Sequence, residues 1–352
     1  MSREQMIPII LNKNYERIAE IDDYLSFIWT TRYYSAGDFE LCADISKASI
    51  LQIGNLVMRK GDDHAGIIEK IQITRSDEKQ EMIIATGRSL HQILARRVIT
   101  TQTILSGLVT QGIKLLVDEN IVNPVNPSRK ISNFVIDMSS GSTASTAETD
   151  VQYTGENLLD VVSSLCETYS IGMDMILNDD NEFVFRLYDG VDRSYGQSVN
   201  PYVVFSDTYD NLLNSEYDED YSTFATDVLV GGEGGGVNRT MVWSAKDSQS
   251  GLDRFEKFLD ASNAVSNDNI ITQATYEKQL EGLGLEAITE YTTAFSGEVD
   301  FTGVELGVDI NIGDICTIEN STWGMYINSR LIEVIESIGE DGSYAAIPTF
   351  GT

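Results

Sequence analysis

Gly66-Ile67-Ile68-Glu69-Lys70-Ile71-Gln72-Ile73-Thr74 and Arg330-Leu331-Ile332-Glu333-Val334-Ile335 are the stretches whose reading decides the fold. In the first, Ile67, Ile71 and Ile73 fall on one side of an extended chain and Lys70, Gln72 and Thr74 on the other. That period of two is what a half-buried strand requires. The second stretch repeats the order of residue types. Each is preceded by an apolar residue, a glycine and a polar residue: Ile53-Gly54-Asn55-Leu56-Val57 and Ile312-Gly313-Asp314-Ile315-Cys316. Each is followed by a polar turn, Asp77-Glu78-Lys79 or Gly339-Glu340-Asp341-Gly342. Each then ends in an apolar strand and a glycine, Ile84-Ala85-Thr86-Gly87 or Pro348-Thr349-Phe350-Gly351. The two ends of the chain therefore read as two similar small β-barrels.

Around these stretches the chain divides further. Residues 1–100 read as the first barrel, with Tyr24 to Tyr34 strand-forming and Gly37-Asp38 a turn before Phe39-Glu40-Leu41. Leu90, Ile93, Leu94 and Val98 have helical spacing and plug or flank that barrel. Residues 101–215 read as an α+β domain. Its first helix carries Ile104, Leu105, Leu108, Val109, Leu115 and Leu116 and stops before Pro124 and Pro127. Gly141 to Thr149 is a Ser/Thr-rich loop, and Thr154 caps a second helix bearing Leu158, Val162, Leu165 and Tyr169. A hairpin turns at Asn178-Asp179-Asp180-Asn181. Residues 216–245 and 290–352 are assigned to the second barrel, and 246–289 to an inserted, partly helical domain. In the closing part Leu306, Val308, Ile310, Ile312, Cys316 and Ile318 alternate with polar residues. The fold class is mainly β with α+β insertions: two similar barrels plus two inserted domains.

Charge and cysteines narrow the function. Net charge is −31. Residues 1–140 hold 16 Lys/Arg against 17 Asp/Glu; the other 8 basic and 38 acidic residues lie in 141–352. Such a surface repels nucleic acid and anionic membranes. No apolar run reaches the roughly 18 residues of a membrane span, and Met6 to Leu11 is too short for a signal-peptide core, so the expected compartment of synthesis is a cytoplasm. Cys42, Cys166 and Cys316 are scattered and apolar in context, which fits buried reduced thiols and neither a disulfide framework nor a zinc site.

Catalytic signals are weak. The two histidines, His64 in Asp62-Asp63-His64 and His91 on a helix, accompany no Gly-x-Ser-x-Gly elbow. Asp218-Glu219-Asp220 and Glu298/Asp300 are the carboxylate pairs a glycosidase reading would nominate, against a background of 55 acids. Asn178-Asp179-Asp180-Asn181 lacks the alternation and closing Glu of a calcium loop. Gly231 to Gly236 lacks the Lys-Ser/Thr of a phosphate loop and reads as a strand connection. Asn238-Arg239-Thr240 and Asn320-Ser321-Thr322 match glycosylation sequons, which carry little meaning in a cytoplasm. No catalytic, cofactor-binding or metal-binding residue is assigned, and no cofactor is expected.

At this point the sequence resembles the tail-hub proteins of siphophages. The resemblance rests on Ile21-Asp22-Asp23-Tyr24, Trp29-Thr30-Thr31-Arg32-Tyr33-Tyr34, Gly37-Asp38-Phe39-Glu40-Leu41, Gly66-Ile67-Ile68-Glu69, Gly87-Arg88-Ser89-Leu90 and Leu94-Ala95-Arg96-Arg97, and on the closing Gly313-Asp314, Arg330-Leu331-Ile332-Glu333 and Pro348-Thr349-Phe350-Gly351. It is weakest at 237–285. The resemblance implies a non-enzymatic homotrimer at the distal end of a tail, in the virion, with six barrels in a ring around the exit channel for genomic DNA. It implies as partners the distal tail protein, the C-terminal end of the tape-measure protein, and receptor-binding or spike proteins. Some relatives carry a C-terminal peptidase or lysozyme domain; here the sequence stops one residue past the closing barrel, so none is expected. The alternatives kept open are the hub of a bacteriocin-like tail or gene-transfer particle, a glycan-acting tail enzyme, and a carbohydrate-binding module.

Overall fold

The structure, a computed structural model, describes residues 6–75, 81–140, 146–245, 247, 249–264, 272–288, 292–299, 301 and 303–351, without the side chains of 292–298. The turn expected at Asp77-Glu78-Lys79, the first half of the Gly141 to Thr149 loop, and Asp300 lie outside the described residues. The chain forms two compact units, Met1–Asn214 with Gly297–Thr352, and Ser215–Ser296. Among the described residues no helix is long and apolar enough to cross a membrane.

The first unit is organised by one large sheet. Its N-terminal strands are β1 (Pro8–Leu11), β2 (Arg17–Glu20), β3 (Ser26–Arg32), β4 (Asp38–Asp44), β5 (Leu56–Arg59), β6 (Ala65–Arg75) and β7 (Glu81–Ser89). All of these except β2 place buried apolar residues in one core, including Ile10, Phe27, Trp29, Phe39, Leu41, Val57, Ile68, Ile83 and Ala85. A fully buried side chain of this kind stabilises by about 1.5–3 kcal/mol. A β-bulge lies between Ile68 and Lys70. An extra residue reverses the faces beyond it. Ile67 therefore packs in a second core, while Ile68 and Ile71 face the first. The expectation that Ile67, Ile71 and Ile73 share one face is corrected by this bulge, which periodicity alone does not reveal.

A short helix, α1 (Gln92–Ala95), follows β7 and buries Ile93 and Leu94 in the second core. Next come β8 (Thr103–Leu108) and α2 (Val109–Val117). Residues 103–108 are thus a strand, not the helix start expected. Thr103 and Leu105 point inward and Ile104 and Ser106 outward, a period of two within a run of leucines that suits either structure. After β9 (Phe134–Ile136) and β10 (Glu148–Tyr153), the helix α3 (Leu158–Thr168) buries Leu158, Val162 and Leu165. Asn157, not Thr154, caps it, accepting from the Leu159 N–H. β11 (Gly172–Leu177) and β12 (Phe183–Tyr188) form the expected hairpin, with β9 parallel to β12.

After β13 (Val204–Ser206), the strand β14 (Leu212–Asp220) enters the second unit. There β15 (Asp227–Gly231) lies between β16 (Met241–Ala245) and β17 (Glu256–Asp260), and α4 (Gln273–Glu286) packs Tyr276 and Leu280 against Val228 and Val230. The sequence reading puts 227–231 and 241–245 in the closing barrel; in the structure 227–231 instead pairs with 241–245 on one side and 256–260 on the other, in a separate three-stranded sheet. Burying Val228 and Val230 requires an apolar partner, which α4 supplies.

The strand β18 (Thr292–Val299) pairs with β14. The chain returns to the main sheet through β19 (Ile315–Asn320), β20 (Met325–Ile338) and β21 (Tyr344–Gly351). The alternating residues 306–312 are not a strand: Gly307 has φ +86° and Gly313 φ +93°, and Val308 is 65% exposed. The full order is β13-β19-β20-β3-β4-β7-β6-β5-β1-β2, with β21 on the other edge of β20. The protein is therefore mainly β.

Candidate functional site

Register supports the internal similarity in detail. Gly54 N–H donates to the Ile68 carbonyl at 2.8 Å, and Ile68 N–H to the Asn55 carbonyl at 2.9 Å. Gly313 N–H donates to the Leu331 carbonyl at 2.7 Å, and Leu331 N–H to the Asp314 carbonyl at 2.9 Å. Gly54 and Gly313 both sit at positive φ, +85° and +93°. Each hairpin then bulges at the same place, Ile68/Lys70 and Leu331/Glu333. Leu331 therefore matches Ile68, one residue beyond the match read from sequence.

The two copies differ on one edge. In the second, β19 pairs with the first half of β20 and β3 with the second half, Glu333↔Arg32 to Ile338↔Phe27. In the first, β5 covers only Ala65–Ile67. Among the described residues, no strand pairs with the corresponding edge of Lys70–Arg75. Ile73 on this stretch is 59% exposed.

A cleft of about 670 Å³ opens in the same unit, lined by residues of β3, the β5–β6 turn, β11, β12 and the 306–312 turn. Its polar groups form a connected ionic lock. His64 reaches Asp62 through Nδ1 at 2.5 Å and Asp174 through Nε2 at 2.9 Å. Arg186 Nε donates to Asp174 at 2.7 Å, and Arg59 Nε to Asp62 at 3.0 Å. Arg59 also pairs with Glu336, stands 5.3 Å from the Trp29 ring centroid, and leaves Glu336 to accept from Tyr344 Oη at 2.9 Å. Burial alone pulls the His64 imidazolium down, but its hydrogen bonds to Asp174 and Asp62 outweigh that and raise it to about 10. Burial pushes Asp62 and Asp174 up, yet the His64 contacts hold both well below the usual carboxylate range. Every acid in this network is thus already neutralised by a fixed cation.

The other sequence candidates are dispersed. His91 is buried, hydrogen-bonded through Nδ1 to Ser89 Oγ at 3.0 Å, and pushed down to about 4 by burial. Asp218, Glu219 and Asp220 are exposed at the end of β14. Asn178–Asn181 is a hairpin turn with Asn181 at φ 60°, and the Asn178 side chain accepts from the Asp180 and Glu182 N–H groups. Gly231–Gly236 links β15 to β16, and Arg239 donates to the Gly231 and Gly232 carbonyls. Among the described residues no group of three or more His, Cys, Asp or Glu is arranged to hold a metal ion. Sequence reasoning missed Arg59, Asp174, Arg186 and Glu336, which lie far apart in the chain and carry no motif.

Comparison with known proteins bears on this architecture. A family profile described as Siphovirus ReqiPepy6 Gp37-like protein matches residues 7–352. The chain belongs to this family. No curated protein sequence matches it significantly. Its fold is that of phage tail proteins. The tail protein from Neisseria meningitidis MC58 is similar at TM-score 0.55 and 14% identity, covering 98% of this chain and 96% of that one. The 43 kDa tail protein of prophage MuSo2 from Shewanella oneidensis is similar at 0.54 and 11%, covering 97% of each. The prophage tail protein gp18 from Listeria monocytogenes EGD-e is similar at 0.52 and 11%, covering 97% and 94%. As a member of the Gp37-like family, this chain shares their layout over nearly its whole length.

Proposed function

We propose that this Gp37-like protein is a structural hub at the distal end of a phage tail and that it assembles as a homotrimer. One observation carries the reading. The edge that β3 covers on β20 is open on the matching stretch of β6, Lys70–Arg75. An open edge is a template for another strand. A neighbouring copy offering its own second repeat to this edge reproduces between chains the contact already made within one. Such a head-to-tail contact closes into a ring when the rotation fits. Three chains with two repeats each give six similar units, which suit a six-fold tail above and a three-fold tip below.

In this role the protein joins the distal tail protein and the end of the tape-measure protein to receptor-binding or spike proteins. It surrounds the DNA exit channel without binding DNA, since the net charge of −31 repels phosphate. It acts without catalysis. The cleft holds its carboxylates ionised and ion-paired, so they are poorly suited as general acids, and its charged histidine cannot act as a base near neutral pH. Electron cryo-microscopy of the assembled tip tests the reading. Three copies with six superposable repeat units in a ring are expected; one copy per tip, or unrelated environments for the two repeats, overturns it.

A further inference from the structure

Three arginines stand apart from the others of the chain, and Lys130 adjoins one of them in sequence. Arg97 Nε and Nη2 donate to the Arg129 carbonyl at 3.2 and 2.8 Å, which draws the pair Arg96-Arg97 beside Arg129-Lys130. Arg129 is fixed in turn by Val98 O and Thr100 Oγ1, both at 2.6 Å, and by Asn120 Oδ1 at 3.1 Å. All of these acceptors are neutral. Among the described residues none of Arg96, Arg97 and Arg129 has a carboxylate within 4.0 Å, whereas each of the other described arginines does: Arg17, Arg32, Arg59, Arg75, Arg88, Arg186, Arg193, Arg239, Arg254 and Arg330. Burial first, then the neighbouring charges of Arg129 and Arg96, lower the Arg97 guanidinium from its ordinary value. Gathering like charges without counter-ions is unfavourable. It is the more unexpected in a chain with 55 acids against 24 bases.

The chain also carries the complement. Glu216, Asp218, Glu219 and Asp220 are exposed on β14, and among the described residues none of them forms an ion pair. Glu219 accepts only from Tyr217 Oη, and Asp220 from Ser222. A basic cluster and a run of four acids within five residues thus sit on one polypeptide.

We infer that the Arg96, Arg97, Arg129, Lys130 cluster is a docking site for the acidic strand Glu216–Asp220 of a second copy of this chain. This rests on the self-assembly reading above and supplies it with a specific polar contact. Guanidinium forks match carboxylates in geometry, and a short acidic segment engages the cluster without exposing further negative charge to the chain. A nucleic acid carries a charge every few ångströms along its length, far more than four cations on a chain of net charge −31 neutralise. Val98, 47% exposed between Arg97 and Ile99, adds an apolar contact suited to protein. The contact is heterologous, donor surface to acceptor surface, as a closing ring requires.

The test mixes full-length unlabelled and ¹⁵N-labelled protein at low salt and joins touching amines and carboxylates with a zero-length carbodiimide cross-linker. Mixed-isotope cross-links from Lys130 to Asp218, Glu219 or their neighbours are expected. They should fall at least tenfold in Arg97→Glu/Arg129→Glu and recover when Glu216, Asp218 and Glu219 are changed to Lys in the partner copy, read there through self-association. Circular dichroism identical to wild type keeps the variants interpretable. Ring-forming chains that lack Lys130 cross-links overturn this docking site and leave the hub reading intact. Chains with neither rings nor cross-links overturn the docking site as well, while the tip structure decides the hub separately. Binding of a 20-nucleotide DNA that Arg97→Glu/Arg129→Glu abolishes would make nucleic acid the occupant and also overturn it.

Discussion

Arg59 and Glu336 lie 277 residues apart and form an ion pair with side chains only 9% and 2% exposed. The pair joins the end of β5 to the C-terminal part of β20, and so fastens the first repeat to the second. Removing one member of a buried pair strands the other charge, which typically costs about 3–5 kcal/mol, whereas replacing both by apolar groups is near neutral. Glu336→Ala should therefore lower unfolding free energy by about 3–5 kcal/mol in urea titrations. Arg59→Met/Glu336→Leu should recover most of it. Equal losses in the single and double variants would show that the ions are bystanders.

The His64 lock makes stability depend on pH in a definite direction. His64 is raised from 6.5 to about 10 in the folded protein, so its contribution is complete below pH 6.5 and is lost as pH rises toward 10. Asp62 and Asp174 are lowered from 3.8, so their share is complete above pH 3.8 and is lost as pH falls through the lowered values. The melting-temperature difference between wild type and His64→Gln should be flat from pH 4 to 6.5 and shrink steadily toward pH 10. A difference that grows with pH contradicts this assignment.

Matching glycines in the two repeats should differ in tolerance. Gly61, at φ +77°, has nothing within 4 Å of an added methyl group, so Gly61→Ala should cost only the backbone strain, about 1–2 kcal/mol. At Gly54 a methyl meets the movable end of Lys13, so Gly54→Ala should cost little more. At Gly313 it falls 2.3 Å from the ring of buried Tyr33, over which Arg330 stands at 5.1 Å. Gly313→Ala should be the most damaging of the three in thermal melts.

Thiol accessibility follows the cores. Burial pushes the Cys166 thiol up to about 12 and Cys316 higher still, while Cys42 is half-buried. The thiolate is the reactive form. Native protein should react with Ellman's reagent at Cys42 alone within minutes, and at all three thiols in denaturant. Rapid native labelling of Cys166 would mean that α3 is not packed as described.

Glycine punctuation and polar turns made the repeated hairpins readable from sequence, because Gly54 and Gly313 both occupy conformations that favour glycine. The match was one residue out because a bulge adds a residue that leaves no mark in hydrophobic order. Thr103–Leu108 reads as helix from sequence because leucines at 105, 108, 115 and 116 satisfy a helical stripe whether or not the first turn is helical. The sheet that holds 227–231 and 241–245 is not legible in sequence because an alternating strand does not name its partner. The ionic lock and the uncompensated arginines were not readable at all. Their meaning lies in distances between residues such as Arg59 and Glu336 that no local pattern records.

Ile73 offers the sharpest test of the open edge. It is 59% exposed on the part of β6 that, among the described residues, pairs with β7 alone, whereas Glu336, its match in β20, pairs with Trp29 of β3 and is buried. In an isolated chain Ile73→Asp touches little, and a surface substitution of this kind changes stability by only about 0.5 kcal/mol. In a ring the same side chain lies against a neighbouring copy, and a carboxylate there is buried without a partner, at a cost of several kcal/mol per contact. Three such contacts act together in a trimer. Ile73→Asp should therefore melt within a few degrees of wild type yet fail to form trimers by mass photometry or to enter particles on complementation. Trimers of normal stability in Ile73→Asp would place the inter-chain contact elsewhere on the molecule.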